Sequence, residues 1–89
     1  MGGEAVKLFE RMCVSKSGWK RDHLDRLYIG FGFVIKNGHG KNPHDKVYHP
    51  GHPELFTFIP RHNKVAEVYI DNAIKLIKKF QKIKEAQHE

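Results

Sequence analysis

The run NGHGKNPHDKVYHPGH, Asn37 to His52, holds four of the chain's seven histidines: His39, His44, His49 and His52. Imidazole has an ordinary pKa of about 6.5, so near neutral pH it can take or give a proton, and its neutral form is a common zinc ligand. The gaps between the four are four, four and two residues long and contain no cysteine. Glycine and proline punctuate the run, so it does not lie on a helix, which removes the metalloprotease arrangement of two histidines a turn apart facing one zinc ion. A strand through His44 and His49 alternates its side chains and need not converge them on one ion. The expectation is no metal site and no cofactor. A metal-binding domain, the competing reading, would lose its fold or its activity to a chelator.

The rest of the chain bounds what such a run can belong to. Eighty-nine residues make one small domain, residues 1–89, able to bury about 60 to 65% of the surface its unfolded chain exposes. A hydrophobic content of 39% is enough for one packed interior, and no apolar stretch approaches the roughly 20 residues of a membrane span. The start, MGGEAVKLFERM, lacks the basic-then-apolar order of a signal peptide, and the single cysteine, Cys13, cannot form an internal disulfide. Both point to a reducing cytoplasm and no membrane. The net charge of +6 favours polyanions, whether nucleic acid or an acidic protein.

The elements that must position the histidines follow from periodicity. In EAVKLFERMC, residues 4–13, Val6, Phe9, Met12 and Cys13 recur at helical spacing, and the helix should end near Ser15. SKSG then suits a turn, and Trp19 should plug a core edge. Leu24, Leu27 and Tyr28 form a second apolar stripe, with Asp22 near the helix start and Gly30 or Gly32 free to close it in a left-handed conformation. From Phe31 the period changes: GFGFVIK, KVYH (46–49) and ELFTFIP (54–60) read as three successive strands. The first connection, 37–45, is long for a hairpin, the second, PGHP (50–53), is turn-like, and Pro60 stops the third strand. Ile70, Ala73, Ile74, Ile77 and Phe80 mark a last helix from Glu67 to about Lys84, its lysines outward and residues 85–89 frayed. The fold expected is α+β, with helices packed on one face of a three-stranded antiparallel sheet.

In that order of landmarks the chain resembles the HicA (YcfA-like) family, the RNA-cleaving toxins of HicA/HicB toxin–antitoxin pairs. The landmarks are Gly18-Trp19, the Leu-rich helix running to Gly32-Phe33, His44 before the strand that ends His49-Pro50, and Pro53 to Leu55 running into Pro60-Arg61. The resemblance implies a double-stranded-RNA-binding-like core, α-β-β-β-α, over residues 18–84, with 1–17 as an added N-terminal helix. It also implies a HicB-like antitoxin as protein partner and RNA, specifically mRNA, as substrate. Members of the family carry Gly-Ser-His-His at the start of the second strand, and the first of these histidines is associated with cleavage. Counting back from His49-Pro50 brings His44 to that position, with Asn42 and Pro43 in place of Gly-Ser and Asp45 in place of the second histidine. Aligning on Asn37-Gly38-His39 instead makes His39 the alternate.

Metal-free cleavage of RNA needs a base for the ribose 2′-hydroxyl, which DNA lacks, and charge stabilisation at the phosphate. His44 is the candidate base, with His39 or His49 as the accompanying acid. Lys46 and Arg61 are candidate phosphate contacts, and Tyr48 a surface on which a base can stack. His23, His62 and His88 read as surface histidines. The two function classes are thus a metal-independent endoribonuclease and a non-catalytic RNA-binding or protein-interaction module on the same fold.

Overall fold

The computed structural model describes residues 3–38 and 40–87. The chain runs α1 (Gly3–Val14), α2 (Arg21–Gly30), β1 (Val34–Lys36), β2 (His44–His49), β3 (His52–Pro60) and α3 (Glu67–Gln87). The strands form one antiparallel sheet in the order β1-β2-β3. This is the α-β-β-β-α order with one more helix in front. Among the described residues no helix is long and apolar enough to cross a membrane.

The core lies between the helices and one face of the sheet. Val47 in β2 and Leu55 and Ile59 in β3 alternate inward to meet Leu24, Leu27 and Tyr28 of α2 and Ile70, Ala73, Ile77 and Phe80 of α3. The α3 stripe falls where the 3.6-residue period puts it, and the helix lysines from Lys75 to Lys84 are exposed. Trp19 is buried in the same cluster, and its indole N–H donates to the Ser15 carbonyl at 2.8 Å. The helix extends further than expected, through 85–87, while 88 and 89 lie outside the described residues.

Helix α1 buries Ala5, Leu8 and Met12, whereas Val6 and Cys13, expected on the apolar stripe, face solvent and Phe9 is half-buried. The reason is the seat on α2. Gly30 lies within the helix against Ala5, and a β-carbon at position 30 would collide with the Ala5 methyl. Only a small residue against a glycine permits that approach, so α1 is rotated to present Ala5 rather than Val6. The left-handed closure of α2 falls to Gly32, with φ of 90°. This turn also shortens β1 to Val34–Lys36 and delivers Phe33 into the core.

Strand β2 begins two residues earlier than expected, so His44 is a strand residue paired with Pro60 rather than part of the loop. The second hairpin is also tighter, since His49 pairs with His52 around Pro50-Gly51.

Candidate functional site

The start of β2 is fixed by a buried charge. Asp45, 3% exposed, accepts the Gly38 N–H at 2.8 Å and an ion pair from Arg21 Nη1 at 2.8 Å, with Arg61 Nε at 3.6 Å. Burial of the carboxyl opposes its ionisation. The Gly38 N–H and the Arg21 and Arg61 guanidiniums outweigh that and hold its pKa below the ordinary carboxylate value. Arg21 is anchored in turn: Nε donates to Asp25 at 2.7 Å, Nη1 to the Pro60 carbonyl at 2.9 Å, and its backbone N–H to the Asn63 carbonyl at 2.9 Å. One carboxylate thereby joins α2, the end of β3 and both flanks of the 37–43 loop.

Alternation along β2 follows from that anchor. With Asp45 and Val47 turned to the core, Lys46 is presented to solvent and His44 is left half-buried. His44 Nε2 lies 2.8 Å from the Tyr69 hydroxyl, one turn into α3. The Asn42 side-chain oxygen accepts the His44 backbone N–H at 3.1 Å, which sets the approach of the loop. An open groove of about 410 Å³ runs beside the ring, lined by Asn42, His44, Thr57, Phe58, Tyr69 and Asn72. A larger groove of about 540 Å³ lies between the end of α1 and the start of α2, beside Arg11 and Trp19, and contains none of the expected site residues.

Arg61 closes the loop over this end of the sheet. Its Nη1 donates to the Asn42 carbonyl at 2.9 Å and its backbone N–H to the Pro43 carbonyl at 3.0 Å. These contacts engage Nε and Nη1, so Nη2 is the donor that can meet a phosphate. Lys46 follows His44 by two residues, its ammonium 4.9 Å from the centre of the Phe56 ring. Arg61 follows Pro60, the cross-strand partner of His44, while Lys46 and Tyr48 continue the His44 side of β2, paired with Phe58 and Phe56.

His49 is not part of that group. Five residues along a strand put it roughly 17 Å from His44, too far to serve the same phosphate. It sits instead in an aromatic cluster, its ring centre 4.6 Å from Phe80 and 5.1 Å from Phe33, with the Gly51 N–H donated to Nδ1 at 3.0 Å. Burial first, then His52 and Lys84, lower its pKa, so the neutral form is preferred. Because the folded pKa is depressed, the stabilisation is complete above the ordinary value of about 6.5 and is lost as the pH falls through the folded value. Thermal melts should therefore show a midpoint that falls as the pH drops below about 6.5, and His49→Phe should flatten that slope.

His39 lies outside the described residues, as does His88. His23 is not a free surface histidine: its Nδ1 accepts the Lys20 N–H at 3.0 Å and caps α2. Among the described residues no three His, Cys, Asp or Glu side chains are placed to share a metal ion. Tyr69 and Asn72 are absent from the sequence reading. Tyr69 packs against the core at the edge of the apolar stripe of α3, four residues before Ala73, and Asn72 is half-buried beside the groove.

No family model, curated protein or solved structure matches the chain.

Proposed function

We infer that the protein is a HicA-like, metal-independent endoribonuclease acting on mRNA in the cytoplasm, with His44 as general base. The observation that carries this reading is the seating of His44: a half-buried imidazole at the head of a strand, held at one nitrogen by Tyr69, beside an open groove. In the tautomer that suits a base, Nε2–H donates to the Tyr69 oxygen and Nδ1 keeps its lone pair. Nδ1 then takes the proton of a ribose 2′-hydroxyl as its oxygen attacks the adjacent phosphorus. The new O2′–P bond forms as the P–O5′ bond breaks, leaving a 2′,3′-cyclic phosphate and an O5′ alkoxide that takes a proton from water to become the 5′-hydroxyl. Lys46 and the Nη2 end of Arg61 are the cations that would offset the charge gathering on the phosphoryl oxygens. Asp45, in the place of the family's second histidine, serves this site by holding its frame through Arg21 rather than by moving protons. A HicB-like antitoxin covering the groove would hold the activity in check.

The test is cleavage of an end-labelled RNA by purified protein in EDTA, beside a DNA copy of the same sequence. RNA cut with a 2′,3′-cyclic end while DNA survives supports the reading. RNA bound but left whole makes the protein a binding module.

Tyr69 acts here as a positioning residue. Losing one hydrogen bond, worth about 1 kcal/mol, lets the imidazole turn away, so Tyr69→Phe should slow cleavage by roughly 5- to 10-fold. That loss should appear in kcat with KM unchanged, since Tyr69 is not asked to bind substrate.

A further inference from the structure

The sheet face turned away from the helices is uncovered, and its composition is unusual for a surface. Its register makes two rows across the three strands: Val34, Tyr48 and Phe56 in one, Lys36, Lys46 and Phe58 in the next. Phe56 and Phe58 are 48% and 47% exposed, large apolar rings left in water. They stand edge to face with centres 6.1 Å apart. Lys36 and Lys46 are direct cross-strand partners, and like charges facing each other across a ladder destabilise it. A polyanion lying on the face would relieve that repulsion. Phe58 also lines the groove that holds His44 and Tyr69, so the aromatic rows lead directly to the candidate base.

We propose that this open sheet face binds single-stranded RNA, with unpaired bases stacked on Phe58, Phe56 and Tyr48 and phosphates paired with Lys36 and Lys46. Exposed rings can stack only on bases that are not already inside a duplex. The lysine pair supplies the charge complementarity that a neutral or basic protein surface would lack. This deepens the nuclease reading and rests on it only for the claim that the strand then passes His44. On that path, a base stacked on Phe58 brings its neighbouring phosphate toward the groove.

The measurement is fluorescence anisotropy with a labelled RNA of about 12 nucleotides, single-stranded or annealed to its complement, in EDTA. The His44→Ala variant serves as host so that the RNA stays whole. The single strand should bind at least about tenfold more tightly than the duplex, and Phe56→Ala and Phe58→Ala should each weaken it by about 5- to 100-fold. Lys36→Gln and Lys46→Gln should each reduce the slope of log affinity against log salt by about 0.7. Equal or tighter duplex binding, or phenylalanine variants that bind as the host does, would overturn the proposal. So would a dimer in solution that Phe56→Ala separates, which makes the occupant a second copy of the chain. Cleavage separates the two readings. If the parent cuts RNA and Phe56→Ala and Phe58→Ala made in the parent, with His44 intact, cut equally well, the docking face fails and the nuclease stands. If the host binds as expected while the parent leaves RNA whole, the nuclease fails and the docking face stands.

Discussion

Replacing His44 with alanine should lower single-turnover cleavage of RNA by roughly 10² to 10⁴-fold, the contribution typical of a positioned general base. The fold should survive. His44 is half-buried at a strand end, and among the described residues its side chain makes one hydrogen bond, to Tyr69. Losing it costs about 1 kcal/mol, a drop of about 4 to 8 °C in Tm for a chain of this size. The two readouts therefore separate chemistry from stability. His49→Phe is the matched control: a second β2 histidine, in an aromatic cluster and roughly 17 Å away, whose replacement should leave the cleavage rate near that of the parent. A rate that falls equally in both variants would remove His44 from the role of base.

The larger effect on stability belongs to Asp45. Asp45→Ala removes one of the two carboxylates paired with Arg21 and takes the acceptor from the Gly38 N–H, and removing one member of a buried pair costs roughly 3 to 5 kcal/mol. Tm should fall by more than about 12 °C. The cost has a defined pH dependence. With the folded pKa of Asp45 held below its unfolded value, the stabilisation is complete above about pH 4 and is lost as the pH drops through the folded value. The gap in Tm between parent and variant should thus be full at neutral pH and narrow in acid. Replacing both partners, Arg21→Met with Asp45→Leu, should recover much of the loss, since an apolar pair carries no desolvated charge. If Asp45→Ala melts within a few degrees of the parent, the pair is not what fixes the loop.

Much of the architecture was legible because two periods are written plainly in the chain. Leu55, Thr57 and Ile59 alternate with Phe56 and Phe58, and Ile70, Ala73, Ile74, Ile77 and Phe80 repeat at helical spacing; both patterns run into the core as read. Where the reading slipped, a partner rather than a period decided. Val6 and Ala5 are equally compatible with an amphipathic α1, and the choice was made by Gly30 on another helix. KVYH marked the strand by its β-branched and aromatic residues, but HD precedes it, polar residues that propensity assigns to a loop. Asp45 joins the strand because Arg21, far away in sequence, neutralises it. Of the candidate site, His44 and Lys46 share one side of β2, and His49 stands apart because a strand separates residues that sequence spacing makes look close. Tyr69 could not be paired with His44 without knowing how α3 crosses the sheet.

Trp19 is the chain's one tryptophan, and its place in the core gives the protein an internal optical probe. The indole lies under the Arg11 guanidinium at 5.4 Å and edge-on to His23 at 5.1 Å, so its emission reports on the joint between α1 and α2. Far-ultraviolet circular dichroism instead sums all three helices. Superimposable melting curves from the two signals would mean that α1 and the core come apart as one cooperative unit. An indole signal that leaves first would mean that α1 unlatches while the sheet still stands.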